Sequence, residues 1–234
     1  MLISMLLSEG DILTKLKEIG LYLIAIIVSL SVHEWAHAFA AHLNGDDTAR
    51  NMGRMTLNPI AHIDPRGLIF LLLIGFGWAK PVPVNPRNYK NYRLGEFTVS
   101  FAGIFMNLVL ALLAALAHVL YAFIVLRKGG EPSMNLVMFF DIFGVLNCAL
   151  AVFNLIPVFP LDGSHIFELI FGKLVGAKVL NWIHRNGMFI LYGILLLSVV
   201  LSYTANFSLI SDAATGLFSL FIKLFIRIFG FKVA

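Results

Sequence analysis

The chain has 234 residues, 59% of them hydrophobic and only 13% charged, with a formal net charge of +4 and a mean hydropathy of +0.89. That balance excludes an ordinary soluble domain and describes an integral membrane protein with room for a handful of spans of about 20 residues each. The positive charge does not point to nucleic acid: the basic residues are spread through loops beside apolar segments, where they orient the chain and meet anionic membrane lipid.

Met1 to Leu7 is apolar but short, lacks a positive start and is followed by Glu9 and Asp11, so it is expected at the membrane interface rather than as a secretory signal. The first span runs from about Ile19 to Leu43, with Asn44-Gly45 as its stop. Near its far end lies His33-Glu34-Trp35-Ala36-His37. Two histidines four residues apart on a helix point the same way and can grip one ion together. Zinc suits two imidazole nitrogens, and a glutamate directly after the first histidine can reach a water on that ion without being a ligand. Three ionisable groups within five residues at bilayer depth need a partner that satisfies them all, and a zinc ion does.

From Asp46 to Asp64 the chain is polar and rich in turn formers, an ordered loop. Gly67 to Ala79 is apolar but too short to span as a helix and is broken by Gly75 and Gly77, so a re-entrant segment is expected. In Lys80-Pro81-Val82-Pro83-Val84-Asn85-Pro86 alternating prolines forbid helix and central strand alike, leaving an extended stretch with one free edge. Such an edge is either a rigid connector or a place for an extended substrate backbone to pair. The second span, about Phe97 to Leu126, carries Asn107 and His118. The third, about Asn135 to Ile156, contains the single cysteine, Cys148, whose apolar neighbours make it a small buried side chain rather than a nucleophile. It ends in Asn154-Leu155-Ile156-Pro157-Val158-Phe159-Pro160-Leu161-Asp162-Gly163, where two prolines stop the helix and hold Asp162 at a break in the backbone, a good place for a ligand. Ser164 to Leu174 reads as a short helix and Gly187 to Leu201 as a fourth span. Thr215 to Phe231 sets Ser219, Lys223 and Arg227 at four-residue steps, the pattern of an interfacial amphipathic helix. The expected fold is an all-α polytopic membrane protein with about four spanning helices, a re-entrant or extended hairpin segment and a C-terminal amphipathic helix.

Arg50, Arg54, Arg66, Lys80, Arg87, Lys90 and Arg93 lie between the first two spans, and Lys173, Lys178 and Arg185 follow the third; Arg127 and Lys128 occupy the opposite loop. The metal-bearing end is therefore expected on the cytoplasmic side, in the cell membrane.

Taken together, the HExxH pentad in a membrane helix, Gly103 to Asn107 in the next full span, and Asn154 to Gly163 resemble the site-2 protease family of intramembrane zinc metalloproteases. The last stretch resembles that family's Asn-x-x-Pro-x-x-Pro-Leu-Asp-Gly motif. The resemblance implies that His33, His37 and Asp162 are the ligands of one Zn2+, that Glu34 is the catalytic acid/base, and that Asn107 and Asn154 are polar groups near a transmembrane protein or peptide substrate. It implies a single membrane-embedded metalloprotease domain over 1–234, with a core at 19–175 and a C-terminal span and tail at 187–234. Ile104 stands where the family often has proline, and so does Phe159; neither position carries chemistry. No room is left between the motifs for the PDZ insertion of some members, so a compact type is expected. His62 reads as a structural turn residue of the loop rather than a group approaching the metal from behind its ligands. His165, three residues after Asp162, could contact the site; Asn147 shares a helix face with Asn154, where helix packing explains it as well as substrate contact does. The rival class is a non-catalytic membrane protein, a pseudoprotease or a metal-binding carrier, and Glu34 counts against it, since a pure binding site has no need of a non-ligating carboxylate. Nothing in the sequence sets an oligomeric state.

Overall fold

Apolar runs of this length cannot stay in water, and within lipid a helix is the form that satisfies every backbone N–H and C=O internally. In the computed structural model, which describes residues 11–74 and 77–230, these runs become helices: α1 (Ile12–Leu43), α2 (Thr48–Asn51), α3 (Pro65–Ile74), α4 (Tyr92–Arg127), α5 (Met134–Asn154), α6 (Asp162–Val175), α7 (Ala177–Thr204) and α8 (Leu209–Ile228). Among the described residues no strand forms, and five helices, α1, α4, α5, α7 and α8, are long and apolar enough to cross a membrane. The protein is an all-α, integral, multi-pass membrane protein. The interfacial stretch expected at Met1 to Leu7 and the break at Gly75 lie outside the described residues, as does Phe231.

α4 and α5 make the most extensive helix pair, and α1 packs against both. Lipid gives helices little hydrophobic reason to associate, so close backbone approach through small side chains does the work. Ala111, Ala114 and Ala115 of α4, Cys148 of α5 and Ala214 of α8 are buried in one cluster with Phe218. Ala25 and Ile26 of α1 meet Leu146 of α5 in a second. The C-terminal helix is amphipathic as expected, with Lys223 and Arg227 exposed. Its apolar side packs on α4 and α5 through Ala214 and Phe218, and by length and composition it is also a fifth candidate span. α7 is, with α8, among the least buried of the long helices; Leu191 anchors it against Val158 and Leu161.

The apolar segment after the polar loop goes out as α3 and comes back: Ile63 and Ala79 form an antiparallel bridge, and the Lys80 amide donates to the His62 carbonyl at 2.8 Å. This return delivers the proline-alternating stretch to the end of α1, next to the histidine pair. α4 begins at Tyr92, five residues before the apolar run, because the Asn91 side chain accepts from the Leu94 amide at 3.1 Å and caps the helix there.

Candidate metal centre

His33 and His37 sit one turn apart on α1, both buried. The Nδ1 of His37 lies 2.7 Å from the Val99 carbonyl of α4. A carbonyl can only accept, so this nitrogen carries the proton and Nε2 is left as a bare lone pair. The Nδ1 of His33 lies 2.6 Å from Asn107 Oδ1, also on α4, with the same result. The two Nε2 atoms face each other at 3.0 Å. Asp162, the first residue of α6, closes the triangle: its Oδ2 is 3.4 Å from His33 Nε2 and 3.3 Å from His37 Nε2. That oxygen is buried and has no hydrogen-bond partner.

With both imidazoles neutral, three acceptors converge with no proton between them, an arrangement that repels itself unless a cation is shared. Tetrahedral zinc held at about 2.0–2.1 Å separates its ligand atoms by roughly 3.3 Å, and the observed triangle already has those edges. The three residues form a group that could hold a metal ion, and the donor set of two imidazoles and one carboxylate suits Zn2+.

Two glycines make the approach of the three helices possible. A β-carbon on Gly103 of α4 would occupy the space of the His33 and His37 imidazoles. A β-carbon on Gly163 would strike the Leu155 carbonyl at 2.5 Å, so glycine lets the chain fold back from α5 and start α6 with Asp162 facing inward. Pro157 and Pro160 keep the intervening residues out of a helix.

Glu34 is buried beside the pair and is not part of the triangle. Its Oε2 accepts from the Val82 amide at 2.8 Å. The extended segment is held from behind: Arg54 donates to the Lys80 and Pro81 carbonyls at 2.8 and 3.2 Å. At its far end the fully buried Asp46 accepts from the Asn85 amide at 2.7 Å, from the Asn88 side chain at 2.8 Å and from Thr48. Burial acts to raise the Asp46 pKa, but these donors outweigh it and hold the carboxyl below the usual aspartate range.

A cavity of about 790 Å³ opens onto this centre, lined among others by Glu34, Val82, Val84, Asn154, His165 and Tyr192. Asn154 thus stands where a substrate contact was expected. Asn107 does not: it is fully buried, its carbonyl faces His33, and its Nδ2 donates to Asn147 Oδ1 at 2.8 Å. His165 pairs with Glu96 at 3.0 Å at the cavity wall, and that carboxylate holds its pKa above the ordinary histidine value. His62 is buried in the loop, donating from Nε2 to the Thr56 carbonyl at 2.7 Å, apart from the metal group. Sequence reasoning missed Val82, Glu96 and the Val99 carbonyl. A signal for Val82 did exist, since a run with proline at every second position keeps few N–H groups and each one left has a place to go.

A model of peptidase family M50 matches residues 21–127 and 120–198. Over 156 residues, 67% of this chain and 71% of the relative, the sequence is 46% identical to YwhC of Bacillus subtilis, provisionally named a zinc metalloprotease. Over 169 residues it is 30% identical to Rip2 of Mycolicibacterium smegmatis, named in the same provisional way; that match covers 68% of this chain and 61% of the relative. No solved structure matches the chain.

Proposed function

The chain belongs to peptidase family M50, the site-2 protease family, and from that premise we propose that it is a zinc metalloendopeptidase cutting peptide bonds within or near the transmembrane segments of other membrane proteins. The reading rests on one observation: three buried acceptors converge beside a buried, non-ligating glutamate, in a cavity walled by helices long enough to span a membrane.

His33, His37 and Asp162 would hold the ion, which when bound supplies Lewis acidity, polarising a carbonyl and lowering the pKa of a water toward about 7. Glu34 takes the proton of the attacking water and returns it to the leaving amine. The Val82 amide aims the Glu34 carboxylate before substrate arrives. Asn154, on the cavity wall, offers its amide to the substrate backbone. A peptide bond in a helix is shielded by its own hydrogen bonds, so the substrate enters locally unwound, and the inner edge of Lys80 to Pro86 lies beside its path. The arginines and lysines around the loops set the metal-bearing end on the cytoplasmic side of the cell membrane.

The test is cleavage of a panel of single-span membrane substrates by purified, reconstituted wild type beside Glu34→Gln, with zinc measured in both. Cutting by wild type alone, with about one zinc in each protein, supports the proposal. A zinc-loaded wild type that cuts none of a broad panel favours a binding protein instead, and a wild type that takes up no zinc overturns both readings.

A further inference from the structure

The two histidines obtain the same proton arrangement by different means. A backbone carbonyl fixes His37 directly, because Val99 O has no choice but to accept. His33 faces an amide side chain, and an amide can present either end. If Asn107 turned its NH2 toward His33, Nδ1 would have to accept, Nε2 would carry the proton, and that proton would point at His37 and Asp162 and block the metal. Something must therefore set the direction of Asn107.

The donors and acceptors behind it do so without ambiguity. Asn147 of α5 lies 2.8 Å from the Phe143 carbonyl through Nδ2. A carbonyl accepts only, so Nδ2 is the atom that must sit there, and the same nitrogen donates to Ser29 Oγ of α1 at 2.8 Å. Ser29 in turn donates to the Ala25 carbonyl at 2.7 Å. With its NH2 end committed, Asn147 shows Oδ1 to Asn107, which must answer with Nδ2, at 2.8 Å. Asn107 Oδ1 is then left for His33 Nδ1, at 2.6 Å. Ser29, Asn107 and Asn147 are all fully buried, so no water relieves a wrong orientation.

We propose that Asn147 is a positioning residue for the metal centre, transmitting the polarity of the Phe143 carbonyl through Asn107 to His33 so that the His33 Nε2 lone pair faces the ion. The inference rests on the zinc reading of the site but not on proteolysis. Disturbing such a partner behind a metal-bound histidine typically weakens metal affinity about 10–100-fold.

The experiment measures the zinc dissociation constant by chelator competition in full-length protein carrying Glu34→Gln, with thermal melting as the check on folding. Asn147→Leu is expected to weaken zinc binding about 10–100-fold. Ser29→Ala should leave it within about twofold, because the Phe143 carbonyl still fixes Asn147. The deciding variant is Asn107→Asp added to Asn147→Leu: a carboxylate has no NH2 end to misplace, so it accepts from His33 Nδ1 whatever lies behind it, and affinity should recover. A packing role for Asn147 would not be rescued this way. If Asn147→Leu does not fold, Asn147→Ala takes its place in both the single and the double variant. Unchanged affinity in a folded Asn147 variant, or a double variant as weak as the single, overturns the relay while leaving the protease reading intact. A parent protein that binds no zinc at all overturns the metal reading itself.

Discussion

Toward the membrane interior, the metal centre is walled by side chains from packed helices: His33 against Asn107, Asn107 against Asn147, Asn147 against Ser29, every one buried. Toward the loops, it is walled by the backbone of Lys80 to Pro86, with the Val82 amide on Glu34 and the stretch pinned by Arg54 and Asp46. The three candidate ligands belong to the first wall, and Glu34, to which the proposal gives the proton transfer, touches the second. The division follows the demands on each: metal ligands must keep one geometry and one protonation pattern, which interlocked helices provide. Glu34, which in the proposed reaction takes up and returns a proton, lines the cavity.

If that division holds, damage to the two walls should separate in measurement. The largest effect is expected from Gly103→Val in the helix wall, since its side chain would take the space of both imidazoles. Zinc content by elemental analysis should fall to background and activity with it. On the loop wall, Val82→Pro removes the N–H that reaches Glu34, in an extended position that proline accepts. A hydrogen bond to a charged group contributes about 1.5–3 kcal/mol, so kcat should drop roughly tenfold or more while zinc content stays the same. Loss of zinc from this variant would break the comparison.

The smallest expected effect is at Asp46, which lies farther along the same wall. Its carboxyl is held below the aspartate value of 3.8 by Asn85, Thr48 and Asn88 despite burial. A group whose folded pKa is lowered adds stability that is fully present above its unfolded pKa and is lost as pH falls through the folded value. Asp46→Asn should lower the melting midpoint by about 2–4 °C at neutral pH, as about 1 kcal/mol does in a chain of this size. Below pH 4 the difference from wild type should shrink. Zinc content at neutral pH should not move.

The meeting of His33, His37 and Asp162 was legible in the sequence because its two halves carry fixed spacing: four residues between histidines, and a double-proline break that holds a carboxylate at a helix start. The spans were legible from hydropathy and the hairpin from its shortness, and Ile63 does meet Ala79. The rotation of each helix about its axis was not, because α4 and α5 are apolar nearly all round and no polar stripe says which side faces inward. The family resemblance implied Asn107 near substrate, while in the structure it turns to His33; Gly103, four residues earlier and so on the same face, meets the imidazoles. For the same reason the partner of α8 was not legible, since its packing depends on Ala214 and Phe218 meeting Ala111, Ala114 and Ala115 of α4. The contact of Val82 with Glu34 joins residues 48 apart in sequence, and nothing local encodes it.

The account stands most directly on the triangle of His33, His37 and Asp162, and X-ray absorption at the zinc edge of the reconstituted protein, with Glu34→Gln to stop turnover, reads that triangle. It predicts a four-coordinate first shell of nitrogen and oxygen at about 2.0–2.2 Å, with two imidazole signatures that fall to one in His37→Ala. A shell containing sulfur at about 2.3 Å, or one that keeps both imidazoles in His37→Ala, would contradict it.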